Sequence, residues 1–118
     1  MMAKRQPFDA TVRKERELAI IDLFGEIDAF AEEILNEAYA EAQKQEPEAI
    51  MLNFGDVNYI NSTGIALIVG LLAEARKSHI RLATFGLSEH YVEIFNITRL
   101  SDFMTIFPDE SSALSETA

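Results

Sequence analysis

Two adjacent hydroxyl side chains, Ser62 and Thr63, are the residues of this sequence best placed to do chemistry. They follow Asn61 and precede Gly64, where a polar stretch gives way to the apolar run 65–73. This boundary predicts a helix start, where unpaired backbone N–H groups and the positive end of the helix dipole tolerate an added phosphate. The same residues also suit a helix cap, since Asn and Ser are preferred there. The pattern therefore predicts either a phosphate acceptor or a cap.

Catalysis by Ser62 would need a nearby base, and the chain has only two histidines. His79 lies at the far end of the same predicted helix, about 25 Å away at 1.5 Å per residue, which is too far. His90 is nearer the predicted site, but the Gly-x-Ser-x-Gly turn of serine hydrolases is absent from the sequence. Asp56 lacks the neighbouring acidic pair that a magnesium-dependent phosphoaspartate site needs. We therefore expect no enzymatic activity, no catalytic residue and no metal site.

Strand and helix patterns alternate after an opening pair of strands. Apolar runs predict strands at 8–13, 18–25, 49–54, 80–85 and 103–107. Helical patterns predict helices at 29–44, capped by Asp28, at 62–78, and over a short segment capped by Ser88. Segment 55–60 reads as a loop, and the tail 108–118 as at best a short helix that frays. This order predicts an α/β fold with a mixed sheet of four or five strands, opening with a hairpin.

The sequence also predicts which sides of two helices are buried. In the first helix Phe30 and Ile34 belong to the predicted buried face, together with Ala31, Leu35, Ala38, Tyr39 and Ala42. The helix at 62–78 is apolar on every side in its first half, which predicts that it is the central and most buried one. Gly70 within it is expected to permit close backbone packing, because glycine is otherwise unfavourable in a helix.

The loops after parallel strands should meet at one edge of the sheet, where open α/β sheets place their sites. We expect that edge to gather Glu26, Asp28, Asp56, Asn58, Asn61, Ser62, Thr63 and Ser88.

Composition narrows the class of protein. The 118 residues fit a single domain, and the formal net charge of −10 disfavours binding to nucleic acid or to an anionic membrane surface. The absence of cysteine excludes disulfides and thiolate chemistry. The longest apolar run is too short to span a bilayer, and no secretory leader pattern begins the chain. We expect a cytoplasmic protein whose partners are proteins.

Several motifs together carry a resemblance to a known family. They lie at 25–28, 52–54, 59–65 and 95–100, with Phe103 and Ile106 beyond them. In this order they resemble the STAS domain family of anti-sigma factor antagonists, over about residues 8–114. The most specific element is an Asp-Ser-Ser/Thr-Gly type of motif that enters a buried helix. The resemblance implies a single STAS domain over 1–118, with a core at about 8–107, and helices mainly on one face of the sheet.

The resemblance also implies a function and its partners. It implies a regulator that is phosphorylated on Ser62, less readily on Thr63, by a serine kinase of the GHKL type that doubles as an anti-sigma factor. The unphosphorylated form would bind that kinase, and a phosphatase of the PP2C type would restore this form. The chain itself would hold no cofactor, since the kinase would bind the ATP. The implied partner-binding residues are Glu26, Asp28, Asn58, Asn61, Thr63 and Gly64.

Two positions depart from the family pattern. Asn61 stands where the family usually has Asp, as in a cyanobacterial-looking subgroup of single-domain members, and Arg99 stands where Gly is common. The first change removes a charge beside the acceptor and keeps the capping ability. An alternative therefore stays open, in which the domain senses a ligand or acts as a scaffold and Ser62 is only a helix cap. The oligomeric state is open as well, a homodimer included.

Overall fold

A computed structural model describes residues 6–117, within which the chain forms one five-stranded mixed sheet. Residues 1–5 and Ala118, which the single-domain prediction also spans, lie outside the described part. The strands are β1 (Asp9–Glu15), β2 (Leu18–Ile27), β3 (Ala49–Ile60), β4 (Arg81–Phe85) and β5 (Thr105–Phe107). They lie side by side in chain order, with β1 antiparallel to β2 and each later pair parallel. The predicted mixed sheet with an opening hairpin is confirmed.

Helices cover one face of the sheet more fully than the other. The described helices are α1 (Glu32–Lys44), α2 (Ser62–Lys77), α3 (Glu89–Ile97) and α4 (Glu110–Thr117), with 3-10 turns at Ala29–Ala31 and Leu100–Asp102. The larger apolar cluster joins Leu35 of α1, Ile68 of α2 and Phe95 of α3 to one face. The smaller cluster holds Ala113 of α4 against the opposite face. This arrangement confirms the expectation of helices mainly on one face.

Strand β2 is buried on both sides because side chains alternate between the two faces of a sheet. Ala19, Ile21 and Leu23 belong to the cluster under α1 to α3, whereas Leu18 and Ile20 belong to the cluster under α4. The nearly continuous apolar run of β2 is the sequence pattern that such a two-sided strand requires.

The segment predicted as a loop at 55–60 is strand, so that prediction was wrong. Strand β3 runs on to Ile60 and pairs in parallel with β2 as far as Ile27. Two register shifts along this pairing accommodate extra residues of β3, one of them Asn58. Gly55 and Asp56 lie in this irregular stretch of the strand. Their residue types are common in turns, so the sequence suggested a loop there.

Helix α2 has more buried residues than any other described helix, as predicted, but its apolar sequence is not covered on every side. Its inner face is buried through Ile68, Leu71 and Ala75, but its outer face is exposed, with Val69 46% accessible. A single layer of helices on a sheet leaves each helix with an outer side, and nothing in the described part of the chain covers this one. The predicted close approach at Gly70 is also wrong, because a Cβ there would meet no atom within 4 Å.

The start of the first helix also differs from the prediction. Asp28 caps the 3-10 turn that precedes α1, rather than α1 itself, and accepts a hydrogen bond from the backbone N–H of Phe30 at 2.9 Å. The buried face is narrower than predicted, because the side chain of Phe30 is 78% exposed and Ile34 is also exposed. The other members of that face are buried, as predicted: Ala31, Leu35, Ala38, Tyr39 and Ala42.

The C-terminal region is shorter in strand and richer in helix than predicted. Strand β5 begins at Thr105, because residues 100–102 form a 3-10 turn and Phe103 is exposed. The tail forms helix α4, whose Ala113 is buried against the sheet. Arg13 of β1 holds this helix through a salt bridge of 2.6 Å to Glu110.

Candidate phosphorylation site

The candidate site lies where β2 and β3 end together. Ile27 and Ile60 are paired at the carboxyl ends of these parallel strands, and the backbone N–H of Asn61 donates to the carbonyl of Ile27 at 3.2 Å. Helix α2 begins at the next residue. The sheet therefore fixes the position of the helix start directly, through the backbone.

Asn61 is the cap of α2, as its residue type predicted. Its backbone is extended and its side-chain oxygen accepts a hydrogen bond from the backbone N–H of Gly64 at 2.8 Å. Ser62 and Thr63 follow as the first helical residues, and both are exposed. The hydroxyl of Ser62 makes no hydrogen bond to any residue between 6 and 117. The reading of Ser62 as merely the cap is thereby corrected, because Asn61 fills that position.

Gly64 allows the helix start to lie against the strand ends. A Cβ atom at this position would stand 2.1 Å from the carbonyl oxygen of Ile27 and 2.9 Å from a methyl carbon of Ile60. Real atoms cannot approach so closely, so the packing requires a residue without a side chain. Gly64 is buried, and its role is to hold Ser62 in place rather than to offer a contact surface.

Glu26, one of the acidic residues predicted at this edge, is engaged within the chain. Glu26 accepts a hydrogen bond from the backbone N–H of Gln6, and its own N–H donates to the carbonyl of Gln6 at 3.1 Å. Gly25 has a φ of +86°, and a Cβ there would lie 2.3 Å from the carbonyl oxygen of Pro7. Residues 6 and 7 therefore cross closely over the end of β2. The contribution of Glu26 to a partner interface stays a prediction.

The remaining edge residues are spread along β3 and α3. Asp56 and Asn58 are exposed on β3, on the strand that leads into the site. Ser88 caps α3 by accepting from the N–H of Tyr91, as predicted. The hydroxyl of Tyr91 in turn accepts a buried hydrogen bond of 2.9 Å from the backbone N–H of Ile60. This contact anchors α3 to the site, and no sequence signal marked it, since Tyr91 looked only like a core residue.

The histidines lie in positions that have structural explanations. His79 has a φ of +59° and follows the end of α2, where the N–H of Ile80 bonds to the carbonyl of Ala75 as in a Schellman motif. His90 is exposed in α3 with its ring against that of Tyr91, 4.9 Å between centroids. Neither contacts Ser62.

Within residues 6–117, no helix is long and apolar enough to cross a membrane, and no group of three potential metal ligands occurs.

The family model of the STAS domain matches residues 9–113, which is most of the chain. The chain belongs to the STAS domain family. This confirms the family that the motifs resembled, and the motif around Ser62 lies inside the matched region.

Curated relatives support the same assignment. An anti-sigma-B factor antagonist of Listeria monocytogenes is 37% identical over 95 residues, covering 79% of this chain and 83% of the relative. The protein of the same name from Bacillus subtilis is 30% identical over 86 residues, covering 73% of this chain and 78% of the relative.

Solved structures agree with the fold. An anti-sigma factor antagonist from Mycobacterium paratuberculosis superposes with a TM-score of 0.82 at 16% identity, covering 98% of this chain and 97% of that one. The phosphorylated form of the Bacillus cell fate determinant SpoIIAA superposes with a TM-score of 0.70 at 24% identity, covering 92% and 99%. At these identities the likeness establishes the STAS fold alone.

Proposed function

We propose that this STAS domain is an anti-sigma factor antagonist controlled by phosphorylation of Ser62. The observation that carries the proposal is the state of Ser62, an exposed hydroxyl with no hydrogen bond in the described part of the chain, at the start of a helix that the sheet holds in place. The names of the curated relatives support the antagonist role. The domain acts by binding proteins and is not itself an enzyme.

The phosphate donor would be ATP, bound by the partner kinase of the GHKL type. The Ser62 oxygen attacks the γ-phosphorus, the bond from that phosphorus to the bridging oxygen breaks, ADP leaves, and the hydroxyl proton passes to a base of the kinase. A phosphatase of the PP2C type reverses the change by hydrolysis. The STAS domain contributes only the acceptor atom and its orientation.

The switch is electrostatic. Phosphate adds about −1.5 to −2 charges at neutral pH. The first-turn N–H groups and the helix dipole tolerate that charge locally, so the fold of the domain changes little. In a packed interface the same group must lose its water and clashes with any carboxylate opposite, so the partner is released. Phosphorylation thus controls affinity and not shape.

The contact surface we propose surrounds Ser62. Thr63 is exposed beside it, Asn58 lies on the adjacent strand, and Asp28 and Asn61 lie at the neighbouring strand ends. Asn61 carries no charge, so the partner must recognise an amide next to the acceptor where other family members offer a carboxylate. We expect the cognate kinase to lack a cation at that point.

Site mapping by mass spectrometry tests the acceptor. Protein from its native cells is expected to carry phosphate on Ser62 in some growth states, and phosphatase treatment is expected to remove it. Modification confined to Thr63 would contradict the choice of acceptor, and an unmodified pool in every growth state would contradict the switch.

A further inference from the structure

An open apolar cavity of about 400 Å³ lies on the outer side of the helix layer, beside the second half of α2. Its lining, which we call the Phe103 surface, consists of Val69, Leu72, Ala73, Arg76 and Phe103. Val69 is the member nearest to Ser62 along α2 and lies about 10 Å from it at 1.5 Å per residue. The Phe103 surface therefore begins beyond the contact surface around Ser62.

Phe103 is exposed although the residues around it are fixed. Its side chain is 54% accessible, whereas Leu100 and Met104 on either side of it are buried in the core. Arg76 lies over its ring in a cation–π contact, with the guanidinium carbon 4.9 Å from the ring centroid. Val69, in the same lining, is 46% accessible. Contiguous exposed apolar surface of this kind is typical of protein-binding sites.

Cations surround this surface without carboxylate partners. Within residues 6–117, Arg76 and Lys77 of α2 form no salt bridge. Arg81 lines an adjoining cavity together with Phe103, and it forms none in that part of the chain either. The chain has 20 acidic residues and 10 Lys or Arg residues, so unpaired cations beside one apolar cavity are not explained by composition. Such a surface attracts an acidic partner and repels a basic one.

Carboxylates close in sequence do not cancel these cations. Asp102 is already paired with Arg99, at 2.8 Å. Glu74 lines the groove between α1 and α2, on the other side of the helix from Arg76. Carboxylates further away count for little, because salt screens exposed charges beyond about 8 Å at physiological ionic strength. The Phe103 surface therefore has a locally positive rim on an acidic protein.

The shape of this surface matches a helix. Its members on α2 recur at i, i+3, i+4 and i+7 from Val69, so they line two turns along one side of α2. The side chain of Phe103 forms the opposite wall. An amphipathic helix binds such a groove by placing apolar residues at the same intervals along its own length.

We propose that the Phe103 surface binds an acidic amphipathic helix of another protein. Apolar side chains of that helix fill the cavity between Val69 and Phe103, and its carboxylates pair with Arg76 and Arg81. This contact is additional to the one around Ser62 and requires no phosphate.

Amide chemical shifts of the full, unphosphorylated chain test the surface. The probe is a synthetic peptide of about 18 residues, long enough to form a helix, with leucine at every third or fourth position and glutamate and alanine between them. Its counterpart carries lysine in place of glutamate. We expect saturable shifts at Val69, Ala73, Arg76 and Phe103 with the glutamate peptide and none with the lysine peptide.

Substitutions at the two exposed anchors should change the affinity. Phe103→Ala and Arg76→Gln should each weaken binding of the glutamate peptide about tenfold, as expected for aromatic and arginine anchors of an interface. Arg76→Glu should lower the affinity for the glutamate peptide and raise it for the lysine peptide. A gain of binding to the second peptide cannot result from unfolding, so this variant separates a lost contact from a damaged fold.

Two matched controls lie outside the Phe103 surface. Phe30→Ala removes a phenylalanine that is 78% exposed, and Lys44→Gln removes an exposed cation at the end of α1. Both variants should bind the glutamate peptide as the parent chain does. Equal losses for Phe103→Ala and Phe30→Ala would overturn the proposal.

Three further results would overturn it. The first is no shift with either peptide, or equal shifts with both. The second is binding to phosphatidylglycerol vesicles that Phe103→Ala removes, which would assign the surface to a membrane. The third is the same set of shifts on raising the protein concentration alone, which would assign it to a second copy of this chain. Because no kinase or phosphate takes part, every result leaves the role of Ser62 untouched.

Discussion

At the scale of single residues, the neighbours Asn61 and Ser62 have different roles. Asn61 supplies the cap, and Ser62 presents a hydroxyl that the fold does not use. Ser62→Ala should therefore abolish phosphate incorporation by the cognate kinase while changing the free energy of unfolding by less than about 0.5 kcal/mol. Kinase assays and urea unfolding measure the two effects. A stability loss of the size expected for a lost cap would show that the hydroxyl has a structural role.

Asn61 is the residue whose loss should affect stability. Asn61→Ala removes the acceptor for the N–H of Gly64 and should lower the free energy of unfolding by about 1 kcal/mol. Asn61→Asp keeps the acceptor and places a negative charge at the positive helix end, so it should be neutral or slightly stabilising at pH 7. Urea unfolding of the two variants makes the comparison, and equal losses would contradict capping by this side chain.

Arg99 has a backbone conformation that favours glycine. Its φ is +66°, in the left-handed region, where a side chain costs about 1 kcal/mol. Its ion pair with Asp102 is exposed and contributes little. Arg99→Gly should thus stabilise the protein by up to about 1 kcal/mol in thermal unfolding, whereas Arg99→Ala, which keeps the strain, should not. A gain with alanine and none with glycine would contradict this explanation.

At the scale of the elements, two glycines of helix α2 test how closely the helix packs against the ends of β2 and β3. Gly64→Ala would push a methyl group into the carbonyl of Ile27, which should cost about 3 kcal/mol. Gly70→Ala meets open space and should gain about 0.5–1 kcal/mol from helix propensity. Chemical unfolding measures both. If the two variants changed stability alike, the close contact between α2 and the strand ends would be refuted.

The elements show what a sequence can and cannot predict. The five strands and helices α1 to α3 were recognisable, because periodicity and caps such as Asn61 and Ser88 are local signals. The extension of β3 through residues 55–60 was not, since its pairing with β2 and the bulge at Asn58 depend on a distant strand. The exposed outer face of α2 was missed for a related reason, because apolar composition does not say how many layers cover a helix. The candidate acceptor was predictable from its motif, and the Tyr91 anchor was not.

At the scale of the whole molecule, one ionic network joins the opening hairpin to the last helix. Arg13 bonds to Asp22 at 2.7 Å and to Glu110 at 2.6 Å, and Asn53 donates to Asp22 at 2.8 Å. Burial tends to raise the pKa of Asp22, but the hydrogen bonds from Arg13 and Asn53 and the charge of Arg13 outweigh it, so the pKa is lowered. The network therefore stabilises the fold when Asp22 is ionised.

The sign of this shift predicts a pH dependence. The stabilisation is fully present above the ordinary pKa of 3.8 for Asp22 and is lost as the pH falls through the lowered value. Asp22→Asn should cost about 1–2 kcal/mol at pH 7 and progressively less below about pH 4. Unfolding free energies of both proteins across this range provide the test. A difference that stays constant to pH 2 would contradict an ionised, paired Asp22.

The measurement that tests the central claim most directly is the affinity of the cognate anti-sigma kinase for the domain with and without phosphate on Ser62. We predict that phosphorylation weakens binding at least tenfold, while the backbone amide shifts change only near the start of α2. Equal affinities for the two forms, or shift changes spread across the sheet, would contradict a switch that acts by charge at a fixed helix start.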